Sequence, residues 1–220
     1  MPTDPPPPPD RPTRGRPRSA DAEHAILQAA LDLLDEGTDL GAISINAIAA
    51  RAGVGKNTVY RRWPNKDALL VDAVASLNPA LPEPNRETVR ENLILLLSVL
   101  VTRLQDTRAT SILNGMMAAG REYPQLRERY YADVVEPRRE VTRQVIRAGL
   151  ASGELRSDLD PESIAYLLTA PLICRSFEGV AIEGAPEEIA AQVVDVILFG
   201  VARAKPSEPG DPGDPAKPAR

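Results

Sequence analysis

The stretch from Ser44 to Lys66, SINAIAARAGVGKNTVYRRWPNK, predicts two short helices joined by a tight turn. Ser44 is suited to cap the first helix, because its hydroxyl can accept a hydrogen bond from a free amide of the first turn. Apolar residues then recur at helical spacing as far as Ala52, and Gly53 permits the left-handed backbone of a turn. Val59 would lie beneath the second helix. This spacing is typical of a helix-turn-helix.

The second helix of the stretch, roughly Lys56 to Trp63, is short and has no acidic residue. Its outer face offers two kinds of cation, an amide, a hydroxyl and a phenol, from Lys56, Asn57, Thr58, Tyr60, Arg61 and Arg62. Such groups contact base edges and phosphates when a helix enters the major groove of DNA. We interpret the helix as a DNA-recognition element. The alternative is a basic surface turn on an enzyme.

The segment RAGVGKNTVYRRWPNKDALL closely resembles the DNA-binding signature of the TetR family of bacterial transcription regulators. The match begins with a basic Gly-Arg-Pro-Arg lead-in at residues 15–18 and runs to about Leu70, a quarter of the chain. A looser resemblance, from Tyr123 to Leu172, links the chain to a C-terminal domain found in one branch of that family.

The resemblance implies a role for each position of the signature. Facing the groove would be Lys56, Asn57, Thr58 and Arg61, while Tyr60 and Lys66 would hold phosphates and Ser44 would place the amide end of its helix against the backbone. An arginine arm of Arg14, Arg16 and Arg18 would strengthen binding through phosphates or the minor groove. For the proline-rich tail before this arm, a docking peptide and a disordered extension are both open.

The charge of the chain is unevenly distributed. The whole chain carries −5, but residues 11–66 contain nine basic and six acidic residues, which leaves −8 for the rest. This asymmetry indicates a nucleic-acid-facing end and a body that faces something else.

Composition favours packed helices, because 43% of the residues are hydrophobic and only 4% are aromatic. With the helical segments along the chain, this predicts an all-α fold of about nine helices. We predict a disordered arm over residues 1–18, a helix-turn-helix domain over 19–78, a helical effector-binding and dimerisation domain over 86–203, and a disordered tail over 204–220. Ser19 should cap the first helix, Trp63 should be core rather than a base-stacking residue, and Pro137 should kink a long helix.

Catalytic and metal chemistry find little support in the sequence. Cys174 and His24 are the only cysteine and histidine, and there is no glycine-rich phosphate loop or nucleophile elbow. We therefore expect no metal, no cofactor and no enzymatic activity. We also expect a cytoplasmic protein, since neither a signal peptide nor a membrane-spanning segment is evident.

The body is expected to hold an effector and a second subunit. By the resemblance, an effector cavity would involve Asn114, Met117, Arg121, Tyr130, Tyr166, Cys174 and Phe177. Taken singly, each methionine or aromatic residue among them is better explained as core, and only the group supports a mainly apolar effector. The last helix is apolar over too wide an arc for one neighbour. We assign a dimer interface to Leu168, Leu172, Val193, Ile197, Gly200 and Val201.

We therefore predict a homodimeric regulator, most simply a repressor, released from a palindromic DNA operator by a small, mainly apolar effector. Two alternatives stay open from the sequence. One is an effector-independent helix-turn-helix protein, constitutive or architectural, and the other is a helical small-molecule enzyme or carrier.

Overall fold

The computed structural model describes residues 17–156, 158 and 160–199, and this part of the chain is helical with no strand. Its ten α-helices are α1 (Pro17–Asp35), α2 (Ile45–Arg51), α3 (Lys56–Tyr60), α4 (Lys66–Ala75), α5 (Val89–Gln105), α6 (Thr107–Ala118), α7 (Pro124–Tyr130), α8 (Glu136–Ser152), α9 (Pro161–Phe177) and α10 (Pro186–Phe199). A 3-10 turn (Ala119–Arg121) follows α6, and a π-helical turn (Tyr131–Val135) joins α7 to α8 without a break. Since α7 and α8 form one interrupted rod, the prediction of an all-α fold with about nine helices is confirmed.

The helix starts follow local capping chemistry. Thr88 and Glu91 form a reciprocal capping box at α5, and the Asp160 carboxylate accepts from the Ser163 amide at the start of α9. The first helix differs from the prediction: α1 begins at Pro17, so Ser19 is inside it. Proline suits a first helical position, because its missing N–H has no partner there in any case.

The predicted interruption at Pro137 takes the form of the π-helical turn. Pro137 lacks the N–H that would bond the carbonyl four residues earlier. The backbone adjusts just before it, where the Glu136 amide donates to the Tyr131 carbonyl, five residues back. A π turn of this kind inside a helix often accompanies a functional site.

Two hydrophobic clusters hold the helices together. The first joins α1–α4 to the body: Ile48, Val59 and Leu70 share it with Ile112 and Met116 of α6. The second is confined to the body and packs α5 against α8, α9 and α10. The helix-turn-helix end of the molecule therefore completes its core with residues from α6 and α7.

A buried arginine joins α8 to α9. Arg143 is 7% exposed and donates to Glu140 at 3.0 Å and Glu162 at 2.9 Å, and it also contacts Glu136. Arg147 donates to Glu140 as well, at 2.9 Å. These charge-assisted bonds, from Arg147 first and then Arg143, lower the pKa of Glu140 from 4.5 to about 2.

This network predicts acid sensitivity with a defined sign. Because the folded-state pKa of Glu140 is depressed, its contribution to stability is present above pH 4.5 and is lost as the pH falls from 4.5 towards 2. Glu140→Gln should therefore flatten the fall in unfolding free energy across this window, measured by urea denaturation at a series of pH values. Glu128→Gln is the control, since Glu128 is exposed and has no ion-pair partner among the described residues. Equal slopes for wild type and Glu140→Gln would contradict the network.

Two helical glycines provide a matched packing test. A Cβ on Gly149 of α8 would lie 2.7 Å from Val89 Cγ2 and 3.0 Å from Leu155, whereas one on Gly115 of α6 would meet nothing within 4 Å. Overpacking costs about 1–3 kcal/mol and the helix-propensity gain of alanine is about 0.5–1 kcal/mol. We expect Gly149→Ala to lower the unfolding free energy and Gly115→Ala to raise it, both measured by urea denaturation. A stabilised Gly149→Ala protein would show that this contact is not tight.

Candidate functional site

The helix-turn-helix is formed by α2, the turn at Gly53 and α3. The Ser44 hydroxyl accepts from the Ala47 amide at 3.2 Å, and Gly53 adopts a φ of +67°. The Val54 amide then donates to the Ala49 carbonyl at 3.0 Å, which closes the end of α2. Val59 is fully buried under α3, so the spacing read from the sequence places the two helices against the same core.

The outer face of α3 presents the predicted contact residues to solvent. Lys56, Asn57 and Arg61 are exposed, Thr58 is half-buried, and Tyr60 is 47% exposed. The Lys56 ammonium lies 5.5 Å from the centre of the Tyr60 ring. Only Val59 of this five-residue helix is buried, so the remaining side chains are available to a ligand.

Arg62 differs from the other basic residues of this segment. Its side chain is 15% exposed, its Nη1 donates to the Thr58 carbonyl at 3.2 Å, and its Nε lies 3.7 Å from the Glu23 carboxylate of α1. The initial placement of Arg62 on the outer face of the helix is therefore wrong. It ties α3 to α1.

A surface hollow of about 280 Å³ opens beside α3 at the start of α2. Its walls include Ser44, Asn46, Lys56, Tyr60 and Lys66. The Lys66 ammonium donates to the Leu40 carbonyl at 2.6 Å, which fixes its position while leaving two further donors. Two cations, a phenol and a hydroxyl around one hollow suit the oxygens of a phosphate.

The acidic residues at the end of α1 are neutralised by other parts of the chain. Arg108 of α6 donates to Asp32 at 2.6 Å and to Asp35 at 2.9 Å, and Arg51 of α2 pairs with Glu36. The Gln28 amide, followed by Arg108, holds the pKa of Asp32 below its usual value. These carboxylates consequently do not oppose an approaching polyanion as free charges.

A separate cavity of about 170 Å³ lies in the body. Aliphatic side chains of α5 dominate its walls, and α6–α9 with the π-helical turn complete them. The lining residues are Asn78, Leu81, Leu93, Leu96, Leu97, Val99, Leu100, Arg103, Leu104, Leu113, Asn114, Met117, Tyr130, Tyr131, Val134, Val135, Arg138, Arg139, Thr142, Leu168, Thr169, Ile173, Ser176 and Phe177.

The structure brings four of the seven predicted effector residues to this cavity, namely Asn114, Met117, Tyr130 and Phe177. The other three do not line it. Arg121 is exposed in the 3-10 turn, and Cys174 and Tyr166 lie on the outer side of α9, where Tyr166 accepts from Arg139 at 3.1 Å. The structure therefore does not bring these three to the cavity: α9 presents Tyr166 and Cys174 on its exposed side, and Arg121 lies in the 3-10 turn after α6.

Sequence reasoning missed the arginines of the cavity, Arg103 above all. The signal was present, since Arg103 follows Leu96 by seven residues and Leu100 by three and so falls on the apolar stripe of α5. A cation on an otherwise apolar stripe is unusual unless something pairs with it.

The cavity is connected to α4. Asn78, just after α4, lines the cavity and donates to the Val74 carbonyl at 3.3 Å. Tyr130 also lines the cavity and belongs to the hydrophobic cluster that contains most of α4. At its other end, α4 begins at the cap Asn65, directly after the helix-turn-helix.

The predicted dimer residues are divided by their burial. Leu168 and Leu172 are each 2% exposed inside the single chain, where they belong to the second hydrophobic cluster, so their assignment to a subunit interface is wrong. Val193 and Ile197 are half-buried against the second hydrophobic cluster, while Gly200 and Val201 lie outside the described residues. The exposed apolar side chains of this region are Tyr166, Leu167, Phe177, Val180, Val196 and Phe199.

Parts of the prediction concern residues outside those that the structure describes. Arg14 and Arg16 lie outside the described residues, as does the C-terminal tail, and Arg18 is in the first turn of α1. No described helix has the length and apolar character that crossing a membrane requires.

Two family models match the chain at the two regions described above. Residues 26–73 match the model for bacterial regulatory proteins of the tetR family, and residues 83–197 match the tetracyclin repressor-like C-terminal domain. The uncharacterized HTH-type transcriptional regulator YdeS of Bacillus subtilis is 33% identical over 164 residues, 74% of this chain and 81% of that protein. The regulator Rv1556 of Mycobacterium tuberculosis is 31% identical over 200 residues, 89% of this chain and 95% of that one.

Solved structures share the fold at lower identity. The regulator FadR from Bacillus subtilis, in complex with stearoyl-CoA, superposes with a TM-score of 0.66 at 17% identity, covering 81% of this chain and 99% of that one. A TetR-family regulator from Rhodococcus superposes with a TM-score of 0.64 at 20% identity, covering 81% of this chain and 99% of that one.

The chain therefore belongs to the TetR family of bacterial regulatory proteins. It is a helix-turn-helix transcriptional regulator that binds DNA, and the families and relatives it matches are regulators rather than enzymes.

Proposed function

We propose that the protein is a homodimeric repressor whose effector binds the cavity of the body and releases a palindromic operator. The observation that carries the proposal is the contact of that cavity with the end of α4 through Asn78 and Tyr130. A ligand held there touches the region just after α4, and α4 begins directly after the helix-turn-helix. We call the DNA-binding end of the chain, α1–α3, the reading head.

The operator is expected to reflect a two-fold dimer. Two reading heads require half-sites about one helical turn apart, ~34–36 Å, or a multiple of that spacing. We assign the second subunit to the side of α9 and α10 that carries the exposed Leu167, Val196 and Phe199, because apolar side chains of this size gain most from being covered. It replaces the buried Leu168 and Leu172 in that role.

The release step is a shift between two conformations. An effector changes operator affinity only as far as it binds one conformation better than the other. A ligand that pushes Asn78 or Tyr130 moves α4, and Trp63, Asn65 and Lys66 at the start of α4 move with it. The spacing of the two heads then no longer matches the half-sites.

Selection of bound fragments from the source genome, with purified protein at physiological salt, tests the proposal. Salt is fixed because nonspecific phosphate contacts weaken steeply as it rises. A single palindromic motif that overlaps a promoter, bound by one dimer in analytical ultracentrifugation, is the expected result. A motif without two-fold symmetry, or salt-sensitive binding with no motif, would contradict it.

A further inference from the structure

One wall of the cavity holds an arginine that has no ion-pair partner among the described residues. Arg103 projects from α5, is 8% exposed and lines the cavity. No carboxylate of a described residue forms an ion pair with it, whereas Arg143, which is equally buried, has three. A buried cation is costly unless it is paired.

The groups around Arg103 do not neutralise it. Arg138 of α8 lines the same cavity, is also partly desolvated, and donates to the Pro79 carbonyl. Tyr130 and Asp106, whose carboxylate caps α6, favour the charge of Arg103 and Arg138 opposes it, but neither Tyr130 nor Asp106 forms an ion pair with it. Burial lowers the pKa of Arg103 and raises the pKa of Tyr130 beside it.

The remaining wall contains no acid among the described residues. Leu, Val, Ile, Met and Phe side chains surround most of the space, and the polar exceptions besides the arginines are amides, hydroxyls and phenols. The wall therefore combines a large apolar region with the cations of Arg103, Arg138 and Arg139.

We propose that the ligand of this cavity is a compact apolar carboxylate whose head group pairs with Arg103, with Arg138 and the Tyr130 hydroxyl beside it. This rests on the proposed function, since it names the chemical class of the effector. A carboxylate accepts two hydrogen bonds from one guanidinium and supplies the missing charge. The volume of about 170 Å³ limits the apolar part, since a cavity of roughly 150 Å³ accepts benzene.

The test uses matched acids and amides on the full chain without DNA. Benzoate, phenylacetate and hexanoate, each paired with its amide, are titrated at pH 7 by isothermal calorimetry. We expect the acids to bind, and the amides to bind roughly 10- to 100-fold more weakly, the range expected for one lost charge-assisted bond. Equal affinity for acids and amides, no binding of any acid, or preference for phenyl phosphate over benzoate would each overturn the proposed head group.

Substitutions of Arg103 test whether its guanidinium is the cation that binds the carboxylate. Arg103→Met should abolish the preference for acids and should leave the melting temperature of the ligand-free protein unchanged or higher, because it removes an unpaired buried cation. Arg103→Lys should keep part of the preference. Arg156→Gln is the control, since its side chain is 72% exposed and pairs with Asp158. A strongly destabilised Arg103→Met protein, or acid binding retained in it, would show that the guanidinium serves packing alone.

Failure of the carboxylate assignment can be distinguished from failure of the proposed release mechanism. If acids bind through Arg103 but operator affinity is unchanged, the ligand assignment stands and the release mechanism fails. If a neutral ligand releases the operator, the release mechanism stands and the carboxylate assignment fails.

Discussion

Trp63→Ala is expected to lower the unfolding free energy by about 3–5 kcal/mol, the usual cost of truncating a buried tryptophan. Trp63 is 4% exposed and packs in the cluster that joins the helix-turn-helix to α4 and α6. Its indole nitrogen donates to the Asp72 carboxylate of α4 at 2.7 Å. Urea denaturation followed by circular dichroism measures the change.

Trp63→Phe separates the packing from the hydrogen bond. It keeps most of the apolar volume and leaves Asp72, which is exposed, to bond water, so the loss should be about 1–2 kcal/mol. Equal losses in the two variants would mean that the hydrogen bond to Asp72, rather than burial, holds Trp63 in place.

Arg61→Ala should weaken operator binding by about 1–3 kcal/mol, roughly 5- to 150-fold, and relax the preference at one base position. Arg61 is exposed at the end of α3, where a guanidinium can bond a guanine edge with two donors. Fluorescence anisotropy with the selected operator and single-base variants of it measures both effects.

Tyr60→Ala should weaken binding more evenly across sequences, because Tyr60 borders the hollow assigned to a phosphate and supports Lys56. Arg175→Ala is the control: Arg175 is an exposed arginine of α9, and it donates to the Ala181 carbonyl in the body. Unchanged operator affinity in both α3 variants would refute the docking of this face.

Local patterns were sufficient to predict the reading head. The cap at Ser44, the turn at Gly53 and the burial of Val59 and Trp63 each depend on chemistry within a few residues of the chain. The hydrophobic period then selects which side of each short helix is buried. The position of Ser19 inside α1 and the reversal of Arg62 towards Glu23, 39 positions away in sequence, both escaped this reasoning.

The body was less predictable because its helices are apolar around much of their circumference. In α9 the sequence alone does not distinguish Leu168, which is buried, from Leu167, which is 57% exposed. The position of Arg103 in α5 marks it as unusual, but its place in a cavity depends on α8 packing on α5 and on Tyr130 of α7 lining the same space, which is long-range packing. Cavity and interface assignments therefore required the tertiary structure.

The core shared by the reading head and α6 bears on how such regulators can be recombined. A head excised after residue 78 would expose its packing partners Ile112 and Met116, and would also break the ion pairs of Arg108 with α1. A functional chimera with a foreign head would therefore need α6 and α7 to be exchanged along with it. By contrast, α3 places only Val59 in that core. New operator preferences can therefore arise by changing the four other residues of α3, while the body of the protein stays unchanged.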